Sequence, residues 1–299
     1  MAENNTPGGP IPIQPQGANP LAKHFRQAKI YLKLPSGGKY WPEGSIDIPE
    51  SGELPIYSMT AKDELVLKTP DALLNGESTV KMIQSCVPAI KNGFAIPSLD
   101  LDCLLIAIRV ATYGEKMTIT TRIPNTDIDK EYEVNLVELL DTFQSRHFVD
   151  TFHSSGFTFV LRPMNYKQFT SAALKSFEEQ RLIKTIEDSK LSEAEKMSKF
   201  NSSLQTLTDF NLRMVTDQVV SITFNNEEPV TNTQHINEFF ASTEGAIFDG
   251  VKEHLEAQKK EFGVKPLVVE TTEEERKAGA PDTFEVPIAF DQSNFFERR

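Results

Sequence analysis

With 299 residues, 39% of them hydrophobic and 25% charged, the chain holds enough apolar material for one large core or two modest ones, which excludes disorder throughout. Its 31 Lys and Arg against 43 Asp and Glu leave a net charge of -12, a balance that argues against condensation on phosphate backbones or anionic lipid. Two cysteines, Cys86 and Cys103, are too few for a disulfide framework or a four-thiolate zinc site, and their apolar, helix-like surroundings suggest reduced, buried thiols and cytoplasmic synthesis.

Residues 1–22 begin with MAENNTPGGPIPIQPQGANP, rich in Pro, Gly, Asn and Gln and without apolar periodicity, so an extended arm is expected. No charged stretch followed by an apolar one marks a secretory leader. The longest apolar run, Leu101 to Thr112, is interrupted by Asp102 and Arg109 and falls short of the roughly 20 residues of a membrane span. Alternation in KIYLKLP from Lys29, and in ELPIYSM after the turn at 49–52, predicts a small sheet. Thr60 with Asp63 predicts a helix N-terminus, and Pro70 after Thr69, with a stop at Gly76, a second short helix. The strongest helix signal runs from Leu99 to Tyr113. It opens on Ser98, Asp100 and Asp102, closes at Gly114 and is apolar all round, which places it at the centre of a core.

KMTITTRI and KEYEVNL, joined by the polar PNTDID, predict a β-hairpin; Asn135 with Glu138 then caps the helix VELLDTF, and GFTFVLRP predicts a strand. From Asn165 to Asn225 the pattern is helical, broken at 189–191, with Ser192 and Glu195 as another capping box. Met197, Phe200, Leu204, Leu207, Asn211 and Met214 recur at spacings of 3, 4, 3, 4 and 3, the seam of a coiled-coil-like packing. That seam fits either a helical hairpin projecting from an α/β base or an amphipathic pair lying on a sheet. Residues 227–285 carry 14 Asp and Glu against 6 Lys and Arg, so they supply -8 of the net charge. Helices are expected at 237–242 and 246–262 and a strand at VKPLVVE, whereas TTEEERKAGAPD reads as a polar surface loop. The expected fold class is α+β, with small mixed or antiparallel sheets, several packed helices and a projecting long helical hairpin. Four regions follow: an arm at 1–22, an α+β domain at 23–163 with a hairpin near 116–134, a helical hairpin at 164–225, and an acidic α/β segment with an aromatic tail at 226–299.

Convergent reactive groups are missing from the sequence, which has no Walker loop, GxGxxG, HExxH or GxSxG. His147 and His153 stand six apart with no cysteine, nucleophile or oxyanion motif beside them, and the helix dipole accounts for Asp100 and Asp102. No catalytic, cofactor-binding or metal-binding residue is expected, and the chain reads as a non-enzyme. The informative residues are aromatics in polar settings. Tyr40 and Trp41, in SGGKYWPEG, either fold back on the sheet or meet a partner. Phe290, Phe295 and Phe296 lie within ten residues of the chain end, where docking on the chain's own core and docking on another subunit are the two readings.

The runs LPSGGKYWPEG, YSMTAKDELVLKTPDALLNGESTVKMIQSCV and DLDCLLIAIRVATYG resemble the baseplate proteins of T4-like bacteriophages, a family of hub or hub-assembly proteins. PIAFDQSNFF is similar to that family's aromatic ending, so the resemblance runs roughly from Ile30 to Phe296. Many relatives carry cysteine pairs in a small zinc-ribbon-like hairpin where this chain has TRIPNTDIDKEYEVNL; a hairpin there must rest on cross-strand pairs such as those of Thr118, Thr120 and Tyr132. The resemblance implies a non-enzymatic tail protein of the virion baseplate, assembled in the host cytoplasm. Its implied partners are hub, tape-measure, tube or wedge subunits within a multi-subunit assembly, with no cofactor, metal, nucleic acid or membrane. Two roles follow. The chain is a structural subunit whose Tyr40, Trp41, Phe290, Phe295 and Phe296 bind partners, or an acidic chaperone of a hub or tape-measure protein that is absent from the mature virion.

Overall fold

A computed structural model describes residues 21, 24–68, 76–144, 146–187, 191–225, 227–288 and 295–296. Most of the expected arm, the second short helix after Pro70 and Phe290 lie outside the described residues. In β1 (Ala28–Lys33) and β2 (Glu53–Tyr57), Ile30 stands opposite Ile56 and Leu32 opposite Leu54, so the period of two gives this antiparallel pair one apolar face. Helix α1 (Ala61–Leu67) starts on the Thr60–Asp63 capping box, and α2 (Glu77–Cys86) packs on it. Both strands and α2 surround α3 (Ser98–Tyr113), whose Cys103, Leu104, Ile106, Ala107 and Ile108 are fully buried. A helix apolar on every side is stable only when covered on every side, and α3 is that central element.

After α3 the chain forms the hairpin β3 (Lys116–Arg122) and β4 (Asp129–Asn135), then α4 (Leu136–Gln144), which returns to α3. Asn135 accepts hydrogen bonds from Val137 N at 3.0 Å and Glu138 N at 3.4 Å, the cap its spacing predicts. Strands β5 (Thr151–Ser154), β6 (Phe157–Leu161) and β7 (Val219–Phe224) make an antiparallel sheet in that order. The long helices α5 (Tyr166–Glu187) and α6 (Glu193–Thr216) lie between β6 and β7 in sequence. Helices α7 (Thr233–Ser242) and α8 (Gly245–Phe262) cover this sheet, burying Phe159, Leu161, Ile222, Phe240 and Val251 in a second core separate from that of α3. The fold is α+β, and its small antiparallel sheets are open.

Three expectations need correction. The helical reading up to Asn225 overruns, because Val219–Phe224 is strand β7: its β-branched side chains pair with β6, Ile222 opposite Phe159. The polar stretch read as a loop contains α9 (Glu273–Lys277), opened by a Thr272–Glu275 capping box and flanked by the paired strands β8 (Leu267–Glu270) and β9 (Thr283–Val286). Glu275 turns back toward the β3–β4 hairpin and meets Lys130 at 2.7 Å, a partner 145 residues away that local composition cannot reveal.

The third correction concerns the seam. Helices α5 and α6 do pair, but at mid-height their contact is polar: Ser203 donates to Glu179, which also meets Lys175 at 2.8 Å. Met197, Phe200 and Leu204 are 60%, 39% and 44% exposed, so the first half of the 3–4 pattern lies outside the contact with the partner helix. At 100° per residue Met197, Phe200 and Leu204 lie roughly 60–120° round α6 from Ser203, on the side of the hairpin, whereas Leu207 and Met214, at about 40° and 20°, turn toward its inner face and are half-buried.

Candidate interaction surfaces

The loop holding Tyr40 and Trp41 is built by turn chemistry and closed by one carboxylate. Gly38 has φ +88° and its α-carbon faces the Ile48 side chain so closely that an added β-carbon would stand 2.4 Å from Ile48 Cδ1; glycine fits both constraints. The loop then folds onto the first turn of α3. Trp41 Nε1 donates to Asp100 at 2.8 Å, and Ser36 donates to the same carboxylate from its backbone N at 2.9 Å and its hydroxyl at 2.5 Å. Asp100 is fully buried, and burial raises its pKa from 3.8 to about 6, with the bonds from Ser36 and Trp41 opposing that rise. Its first role is therefore to hold the loop, beyond the helix-dipole role read from its position.

Trp41 is buried by this arrangement, 8% exposed, whereas Tyr40 turns the other way. The Tyr40 ring meets Phe148 edge-on at 5.4 Å between centroids, and neighbouring Lys39 pairs with Asp150 at 2.5 Å. The irregular segment carrying Phe148 is tied to α8. His254 Nε2 lies 2.9 Å from Val149 O, Val149 N donates to Gln258 at 2.9 Å, and Arg146 donates to Phe262 O and Gly263 O at 3.0 Å each.

These ties frame a cleft of about 620 Å³ between the two cores. The first turn of α3 supplies its floor, with Leu101 and Asp102; Phe169 of α5, Phe210 and Met214 of α6, and Phe248 and Phe262 of α8 form its walls, and Phe148 closes one end. Lys252, Glu256 and Lys259 stand on the lining of α8, giving an aromatic interior with a mixed-charge edge. Burial pushes Asp102 from 3.8 to about 6, opposed by the charge of Arg146. An apolar, concave, open site of this size suits a protruding apolar side-chain cluster or a helix face from another protein. The sequence showed no cleft. Its traces were Asn211 and Met214 at the end of the seam and Asp102 beside Asp100, lining residues whose common destination only the fold reveals.

The tail closes on the opposite end of α3. Phe295 and Phe296 are 3% and 7% exposed, in the core of this chain, with their rings edge-on at 5.0 Å. Arg109 donates to Phe295 O, its guanidinium stacks over the Phe295 ring at 5.2 Å, and Tyr113 donates to Phe296 O at 2.8 Å. Of the five aromatics singled out from the sequence, Tyr40 reaches the cleft wall; Trp41, Phe295 and Phe296 brace α3 from within, and Phe290 lies outside the described residues. Among the described residues no group of three His, Cys, Asp or Glu side chains converges to hold a metal ion, and no helix is long and apolar enough to cross a membrane. His153, one of the two histidines considered for a metal, instead lies 3.0 Å from Thr158 Oγ1 across the β5–β6 pair.

A sequence profile of the family described as T4 bacteriophage base plate protein matches residues 27–275. The chain belongs to that family. The match spans the second core, the helical hairpin, every described residue lining the cleft and most of the first core. It stops before Phe295 and Phe296, so the similarity of the aromatic ending is not part of the match. No curated protein and no solved structure matches this baseplate-family chain.

Proposed function

We propose that this baseplate-family chain is a non-enzymatic structural subunit acting in assembly of the baseplate hub of a contractile tail, and that it receives a neighbouring tail protein in the cleft between its two cores. Membership of the family supports the tail location and the association with other tail proteins. The observation that carries the docking role is the aromatic cleft itself: Phe148, Phe169, Phe210 and Phe248 line an open space that no described part of the chain fills. Aromatic side chains set in a concave site are the anchors of protein interfaces, and the charges of Lys252, Glu256 and Lys259 supply a polar rim. Tyr40, packed on Phe148, extends the same wall outward. Trp41, Phe295 and Phe296 serve this surface indirectly by fixing the two ends of α3.

The alternative role, a cytoplasmic chaperone of a hub or tape-measure protein, uses the same cleft but releases its client before the particle matures. Quantitative mass spectrometry of purified virions beside assembly intermediates separates the two. A fixed stoichiometry to other baseplate proteins in the virion is the expected result; presence in intermediates with absence from virions would assign the chaperone role instead.

A further inference from the structure

We propose that the cleft takes a segment of the neighbouring tail protein in which a Lys or Arg side chain stands among apolar ones, and that Asp102 is the anion that receives it. This rests on the docking role proposed above and names the chemistry of the docked segment. Two carboxylates of α3 differ sharply. Asp100 accepts from Ser36 twice and from Trp41. Asp102, on the floor of the cleft, accepts no hydrogen bond and forms no ion pair among the described residues. Arg146 is the cation whose charge reaches it, yet that guanidinium is engaged elsewhere: Nη1 donates to Phe262 O and Gly263 O, and Nη2 to Thr142 Oγ1 at 3.2 Å. Lys252 and Lys259 stand at the edge of the cleft, with Lys252 3.9 Å from Glu256 along the same helix. A carboxylate withdrawn from water without a partner is costly to keep, and burial already raises the pKa of Asp102 to about 6.

The walls select the form of the cation. Phe148, Phe169, Phe210 and Phe262 offer aromatic carbon and no side-chain oxygen. A calcium or magnesium ion takes about six or more oxygen ligands, and among the described residues no three His, Cys, Asp or Glu side chains converge. An ammonium or guanidinium on an aliphatic stem fits both parts of the site. Its stem lies along the rings, and its head meets the carboxylate with aromatic groups close by. Apolar neighbours on the same segment then cover Leu101 and Met214, which also line the space. Long-range charge acts in the same direction, because a chain of net charge -12 draws a basic segment toward it.

Phage carrying variants of this chain test the pairing, read as the amount of the chain in baseplate intermediates and virions by quantitative mass spectrometry, beside thermal melts of each purified variant at about pH 8. Asp102→Asn keeps the shape and removes the charge. Its melting temperature should be unchanged or higher, because an anion destabilised by burial is lost, while its occupancy in the complexes falls about tenfold or more. Asp127→Asn, at a fully exposed side chain in the β3–β4 turn, should change neither. A lower melting temperature for Asp102→Asn would mean that the carboxylate is held within the chain, and full occupancy would mean that no cation meets it; either overturns the proposal. Phe169→Glu, at a 45% exposed position on the wall, separates this from the docking role. Loss with Phe169→Glu but not with Asp102→Asn would remove the basic anchor and leave docking in place, whereas full occupancy with both would remove docking too. A photoreactive benzoylphenylalanine at position 169 captures the docked segment in the wild-type background. Changing its Lys or Arg to Gln should reproduce the loss, with the double variant no worse than either single one. A captured segment without Lys or Arg, or losses that add, would overturn the pairing.

Discussion

Asp100 shows how one side chain in this protein joins a loop to a core. Its carboxylate accepts from Ser36 twice and from Trp41, so it cannot be replaced by an isosteric amide without an NH₂ group facing one of these donors. Asp100→Asn should therefore cost about 1–3 kcal/mol at neutral pH and release the only tryptophan from its buried site, seen as a red shift of its emission. The pH dependence has a definite sign. Because the folded-state pKa, about 6, lies above the ordinary 3.8, the folded chain binds more protons than the unfolded one between these values, and this group's contribution falls as pH rises through that window. Stability curves at pH 4 and pH 7 should show the advantage of wild type over Asp100→Asn growing toward acid; an advantage independent of pH would contradict the assignment. The aromatic loop and the acidic helix start were both legible in the sequence. Their union was not, because Trp41 and Asp100 are 59 residues apart.

At the scale of elements, local signals located most helices and strands, and long-range pairing decided what they do. The β3–β4 hairpin follows from alternation and holds together without thiols. Ile119 pairs with Tyr132, and Thr118 and Thr120 stand opposite Glu133 and Glu131, so the three residues named from the sequence all take part in cross-strand pairs. Its outer strand is then clasped by the C-terminal unit. Lys130 pairs with Glu275, the Tyr132 ring meets Phe284 edge-on at 6.1 Å, and Gly279, at φ +109°, lets Asn125 O come within 3.2 Å of where a β-carbon would sit. The Tyr132 hydroxyl is buried with no hydrogen-bond partner among the described residues. Tyr132→Phe should thus leave the melting temperature unchanged or raise it, whereas Tyr132→Ala removes the ring contact and should cost about 2–4 kcal/mol. Thermal melts of the two variants check this; a Phe variant as damaged as the Ala variant would mean that the hydroxyl, not the ring, holds the clasp. The α9 helix that supplies Glu275 escaped sequence reading because charge density outweighed its capping box.

For the whole molecule, α3 runs through the first core and borders the second only at the cleft. The first turn of α3 floors the cleft, and its last turns receive the tail through Arg109 and Tyr113. Burial of α3 was legible because a 16-residue helix with no polar face has one stable location. The cleft was not legible, because its walls come from α5, α6 and α8, whose apolar residues look in sequence like ordinary core positions. The exposed hairpin seam misled for a related reason: periodicity shows that a helix has an apolar stripe, and says nothing about which neighbour covers it. The central claim is that the cleft of a baseplate subunit is occupied by a neighbouring tail protein. Cross-linking mass spectrometry of purified baseplates with a lysine-reactive reagent tests it through Lys252 and Lys259, which line that cleft. Links from both lysines to one other tail protein are the predicted result. Absence of the chain from the particle, or links to other proteins from remote lysines alone, would contradict it.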